Sequence, residues 1–194
     1  MAKLKKAAKK VHRADRTVAK RAHQPQDTAV MRTTRLIAEA GDQPPLIALS
    51  IATLAFGLVT RRPRVAEAGA RMLASHLLAT GIKNIVKHSI DRTRPKAVHE
   101  GEGYRLTPGK DRSHEQTSFP SGHTAGAVAV ARAAARVWPE GTPVLAAAAT
   151  GIGALQLPIG KHYASDVAAG AVVGLVSEAI VDRAAQAVAA YRAR

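Results

Sequence analysis

The sequence predicts an all-α protein, a multi-pass transmembrane helical bundle of about five spans, and three observations carry that expectation. Hydrophobic residues fill 46% of the 194 positions, with alanine supplying much of that share. Residues 43–60 and 141–160 contain no charge over 18 and 20 positions, close to the about 20 residues that cross a bilayer. Strand signals are almost absent, and no repeat of fixed period recurs. The length suits one domain with a real core. A soluble Ala-rich bundle would show a similar mean hydropathy of −0.08, but the small-residue spacings Gly122/Gly126 and Gly170/Gly174 suit helices packed closely in lipid.

Charge and missing residue types narrow the chemistry. Lys and Arg number 29 against 14 acids, a net +15 that points to anionic partners such as phosphates, acidic lipid or nucleic acid. No cysteine is present, which excludes disulfide frameworks, thiolate zinc sites, cysteine nucleophiles and iron–sulfur clusters. Aromatics at 3% are too few for a base-stacking platform.

The elements follow in chain order. Residues 1–21 hold nine cations and Asp15 alone, a net +8, and form a basic arm able to make an Ala/Lys-rich surface helix. Such an arm could dock on anionic lipid headgroups or on nucleic acid; because no nucleic-acid fold follows, a solvated or lipid-facing arm is the expectation. Residues 22–43 lack the apolar region of a secretory signal, so insertion is expected to act on a later segment. Residues 28–40 suit an interfacial helix, since Arg32, Arg35 and Glu39 oppose a true span. The arm is therefore taken as residues 1–42 and the membrane domain as residues 43–194. Besides the two uncharged runs, residues 65–82, 124–138 and 167–181 read as helical spans. Their charges, Glu67, Arg71, Arg132, Arg136 and Glu178, fall near one end or at helical spacing, where they can snorkel or face the bundle interior. The polar stretch 96–119 is long for a loop, and such loops are usually functional or disordered.

Three polar clusters flank these segments. In the first, Lys87 and Arg94 stand seven apart, with Pro95 pushing Arg94 toward an extended conformation; alone, this also reads as a basic juxtamembrane collar. In the second, Pro120-Ser121-Gly122-His123 opens a helix. Ser121 is a good N-cap, Gly122 lets a ligand approach the backbone, and the free amides of the first turn can hold a phosphate oxygen. His123 beside that anion could protonate a leaving oxygen, although a helix cap followed by an incidental histidine would look the same. In the third, His162 and Asp166 are i and i+4. A helix starting there would lay the carboxylate over the imidazole to accept its Nδ1 proton, leaving Nε2 as a nucleophile; the plainer reading is a helix-capping Asp166 and a loop histidine.

Together the clusters resemble the type 2 phosphatidic acid phosphatase and vanadium haloperoxidase superfamily. The pattern of that family is a Lys, six residues and Arg-Pro; a Pro-Ser-Gly-His; and a Ser-Arg, five residues, His, three residues and Asp. Here Lys87, Arg94 and Pro95, then residues 120–123, then His162 and Asp166 occur in that order over roughly residues 43–182. The resemblance implies that His162 forms a phosphohistidine, Asp166 orients it and His123 is the general acid. Lys87, Arg94, Ser121 and Gly122 would hold the phosphoryl oxygens, with no metal and no cofactor. It implies the membrane lipid phosphatase branch, acting on a phosphatidate-type or polyprenyl-type phosphate or diphosphate in a bacterial-type inner membrane. One departure stands out: Gln156 occupies the position of the family's second Arg, and Leu155 that of its Ser, so Lys161 is the candidate replacement cation. The alternatives are a weakened phosphatase-like scaffold serving as a basic membrane- or nucleic-acid-associated protein, and a soluble acid phosphatase of the same superfamily. The excess of basic residues on the arm's side predicts a cytosol-facing site, whereas the resemblance implies an outward-facing one.

Overall fold

The computed structural model describes residues 2–194, with side chains from residue 9 onward. Helices α1 (Ala2–Ala22) and α2 (Ala29–Glu39) lead into the long α3 (Gln43–Val59) and α4 (Pro63–Lys87). A polar connection follows, containing β1 (Ile90–Arg92), α5 (Pro95–His99) and β2 (Leu106–Pro108). The chain ends with α6 (Gly122–Val137), α7 (Thr142–Leu155) and α8 (Ala164–Arg192). Local chemistry starts several of these helices. Thr28, Asp42 and Ser121 each accept a backbone N–H at the head of α2, α3 and α6, and proline sits in the first turn of α3, α4 and α7.

Helix α6 occupies the centre, packed against α3, α4, α7 and α8. Its inward residues are small, with Ala125, Ala129 and Ala133 buried. The expected close packing is present where α8 crosses it. A Cβ on Gly170 would stand 2.4 Å from the Ser121 carbonyl oxygen, and one on Gly174 2.6 Å from that of Ala125. Only glycine fits at these two points.

The charges at helical spacing pair across helices, with the α8 carboxylates Glu178 and Asp182 buried. Arg71 on α4 donates to Glu67 at 2.8 Å and to Asp182 on α8 at 2.7 Å, while Arg136 on α6 donates to Glu178 at 2.8 Å. Glu178 is 2% exposed, yet Val59 is 83% and Val144 74% exposed. Paired carboxylates inside and large aliphatic side chains outside depart from the pattern of a water-soluble domain, and this distribution suits a lipid surround.

Two expectations change. The uncharged run 141–160 is not one continuous helix: α7 stops at Leu155, and the chain turns through Gly160, whose φ of +75° suits glycine and whose carbonyl accepts the Lys96 N–H at 3.0 Å. Among the described residues, α8 alone is long and apolar enough to cross a membrane, joined by α2 with α3 if that pair, bent by 47°, counts as one span. Strands, nearly invisible in the sequence, do occur: β1 and β2 pair antiparallel with Ile90 opposite Pro108 and Arg92 opposite Leu106. The stretch 96–119 is an organised cover. The Arg92 and Arg94 N–H groups bond the Gln116 and Glu115 carbonyls, each at 2.7 Å.

Candidate active site

Helix ends build the site. Lys87 ends α4, Arg94 precedes α5, His123 is in the first turn of α6, and Lys161 with His162 fills the turn before α8. The structure brings these five residues and Gly122 around one cavity of about 250 Å³. Arg94 does not share a helix face with Lys87, because α4 ends first and Arg94 is extended (φ −66°, ψ 149°). Its guanidinium is held by backbone oxygens, Nε by His114 at 2.7 Å and the terminal nitrogens by Lys161 and Thr117 at 3.4 Å each. Carbonyls position the group without neutralising it, so its charge stays available to an anion.

His162 is 2% exposed, and its Nδ1 lies 2.7 Å from the Ser118 carbonyl oxygen. A carbonyl can only accept, so neutral His162 carries its proton on Nδ1 and presents the Nε2 lone pair. This corrects the expected pairing with Asp166, whose Oδ2 is 3.9 Å from Nδ1. Burial and the neighbouring Arg94 charge push the imidazole pKa down to about 4, which keeps it neutral at ordinary pH. The His123 ring faces it with centroids 6.4 Å apart, and His123 Nε2 stands 3.9 Å from the Asp42 carboxylate.

Asp166 works one layer out. It accepts the Ser118 hydroxyl at 2.6 Å and the Tyr163 N–H at 2.8 Å, capping α8, and it forms a close ion pair with Arg92. Arg92 also donates to Ser165 Oγ at 2.7 Å and to Asp15 of α1 at 2.8 Å, and lies 4.2 Å from the Tyr163 ring centroid. Asp166 thus reaches His162 through Ser118, whose carbonyl holds the ring. Ser121 lies fully buried behind the cavity, its hydroxyl accepting Thr124 Oγ1 at 2.9 Å and capping α6.

Gln156 is not brought to the cavity. It is fully buried as the C-cap of α7, its side chain folded back to donate to the Ile152 carbonyl at 3.1 Å. Lys161 lines the cavity instead. Sequence reading also passed over Lys83, His76, Asp42 and His114 in the cavity wall, and Arg92 and Ser118 behind it. Lys83 and Lys87 sit one helical turn apart, a signal that was available; the others gave none.

The PAP2 superfamily model matches residues 68–188, the span containing all three clusters. The chain belongs to the PAP2 superfamily. It is 30% identical over 157 residues to a lipid A 1-phosphatase from Rhizobium etli, covering 75% of this chain and 67% of the relative. A lipid A 1-phosphatase from Rhizobium johnstonii is 31% identical over 106 residues, 55% of this chain and 43% of that one. In structure, the chain matches the first transmembrane PAP2-type phosphatidylglycerolphosphate phosphatase from Bacillus subtilis with a TM-score of 0.70 at 21% identity, over 92% of this chain and 87% of that one. These findings bear out the resemblance read from the clusters, and with it a membrane-associated PAP2 hydrolase of the phosphatase class.

Proposed function

We propose that this PAP2 protein is a multi-pass lipid phosphatase working through a phosphohistidine on His162. The observation that carries it is His162 Nδ1 held on the Ser118 carbonyl, which leaves Nε2 as a lone pair in a cavity lined by Lys83, Lys87, Arg94 and Lys161. Nε2 attacks phosphorus while the cations take up the charge of the phosphoryl oxygens. The bond to the leaving oxygen breaks, and His123 supplies its proton. Water then attacks the phosphohistidine, gives a proton back to His123, and frees inorganic phosphate and His162. No step draws on a metal or cofactor.

The two curated relatives favour a phosphorylated glycolipid of the lipid A type as substrate, ahead of the phosphatidate and polyprenyl classes. In this reading α3, α4, α6, α7 and α8 are the five spans, and the cavity opens at the end where α1 and α2 lie. The purified protein in detergent, with EDTA present, should release inorganic phosphate from a panel of lipid A, phosphatidylglycerophosphate, phosphatidate and polyprenyl diphosphate. Release from none of them overturns the reading. Release that EDTA abolishes overturns the mechanism.

A further inference from the structure

Helix α1 and α5 enclose a groove of about 580 Å³, more than twice the volume of the catalytic cavity. Lys9, Arg13, Arg16 and Lys20, spaced four, three and four apart, put one face of α1 on it, with His12, Thr17 and His99 adding polar groups to the lining. Among the described residues no carboxylate lines it. The only acid on α1, Asp15, is 4% exposed and committed elsewhere, accepting Arg92 at 2.8 Å and the Ser165 N–H at 3.0 Å. That anchor fixes α1 in place and leaves the basic face uncompensated. His12 Nδ1 is buried with no hydrogen-bond partner among the described residues.

We propose that this groove is a second anion site, separate from the catalytic cavity, that takes a phosphate group bearing net negative charge. Arginine forks and lysines match phosphate oxygens, and the site is shaped before any ligand arrives. The two sites stand back to back: Arg94 and His162 line the cavity, while the next residues, Pro95 and Tyr163, wall the groove. An anionic lipid headgroup is the source the surroundings favour. Val11 and Val18, seven residues apart on the side of α1 opposite these four cations, are 51% and 38% exposed, the amphipathic arrangement of a helix lying at a lipid surface. Nucleic acid is disfavoured, because the Tyr104 ring packs on His12 with centroids 4.1 Å apart and Tyr163 is buried, so neither offers a face for a base.

Calorimetry on the full chain in uncharged detergent tests this with four titrants: short-chain phosphatidylglycerol, inorganic phosphate, short-chain phosphatidylcholine and a single-stranded DNA oligonucleotide. The catalytic cavity also attracts anions, so the groove is identified by Arg13→Gln/Lys20→Gln. Both changes are on the exposed face of α1, and circular dichroism checks that the variant folds. Phosphatidylglycerol should bind wild type saturably and about tenfold more weakly to the double variant, while Lys87→Ala retains that binding. If inorganic phosphate shows the same dependence and phosphatidylglycerol does not bind, the site stands with free phosphate as its source. Binding indifferent to Arg13 and Lys20, tighter binding of the oligonucleotide, or equal binding of phosphatidylcholine overturns it. A protein that turns over no lipid phosphate but passes this titration loses the proposed enzymatic function and keeps the second site.

Discussion

In the proposed mechanism His162 and His123 divide the chemistry, so their removal should read differently. His162→Ala removes the attacking lone pair, and phosphate release should fall to background. His123→Ala removes the proton donor and should cost about 10²–10⁴ with a lipid alkoxide leaving group but far less with nitrophenolate, which needs no proton. Wild-type rates in His162→Ala would sink the phosphohistidine. The cations make a second contrast. Lys161→Ala should weaken vanadate binding by about 1.5–3 kcal/mol, the size of a charge-assisted hydrogen bond. Gln156→Arg should not tighten it, because Gln156 is buried against Ile152 and not at the cavity. Equilibrium vanadate titration separates the two; tighter binding in Gln156→Arg would show that α7 can deliver a cation after all. pH gives a third reading. With the His162 pKa lowered to about 4, the acid limb of kcat/KM belonging to the nucleophile should lie near pH 4 and not near the ordinary ~6.5. The same shift bears on folding. The unfolded chain takes up this proton at ~6.5 and the folded one only near 4, so the contribution to stability is fully present above ~6.5 and is lost as pH falls toward 4. Thermal midpoints of wild type and His162→Gln between pH 7 and 5 should diverge in slope, with the variant flatter.

At the scale of elements, Asp15 links α1 by a chain of hydrogen bonds to the His162 ring. Asp15 on α1 accepts Arg92, Arg92 holds Asp166, Asp166 accepts Ser118, and the Ser118 carbonyl fixes the His162 ring. Asp15→Ala should therefore cost about 1.5–3 kcal/mol of stability, the range for a hydrogen bond to a charged group, since Arg92 keeps Asp166 as a partner. It should also lower kcat more than it raises KM, because the nucleophile is displaced while the phosphate-holding cations stay. Chemical denaturation and steady-state kinetics check both; unchanged values would make α1 a passenger. Little of this tie was legible in the sequence. Asp15 and Arg92 lie 77 positions apart, and Asp15 looked like a solitary acid in a basic tail. The Ser118 carbonyl is backbone and leaves no mark in side-chain spacing, so the i, i+4 geometry pointed to Asp166 instead. The motifs themselves were legible, because helix ends and fixed spacing put Lys87, His123 and His162 in one place whatever the details of packing. The short strands were not, since three-residue segments in a polar stretch carry no periodicity.

Across the whole molecule, span count and charge decide which way the site faces. If α3, α4, α6, α7 and α8 cross the bilayer, the connection from α4 to α6 and the turn from α7 to α8 lie at the same end, and the cavity they share confirms their proximity. Asp42, at the start of α3, lines that cavity too, and Asp15 is bonded behind it, so the arm is at this end. The end therefore gathers the +8 of residues 1–21 together with Lys96, Arg105, Lys110 and Arg112. The opposite end has Arg61, Arg62 and Arg64 and the tail of α8. The positive-inside rule then predicts a cytosol-facing site. Buried charge is no objection, since Arg92 is neutralised by Asp15 and Asp166 and counts little toward the bias. Single-cysteine labelling is clean because the native chain has no cysteine. Ser113, exposed in the connection, and Ala193, beyond α8, report the two ends. In intact cells a membrane-impermeant maleimide should label Ala193→Cys and spare Ser113→Cys until the membrane is opened. The reverse pattern would place the site outside, the orientation implied by the resemblance. It would mean that the arm reaches the outer face despite its charge, because Asp15 holds it to the site from the same side. Labelling of both positions without permeabilisation would put the two ends on one face and remove the five-span count itself.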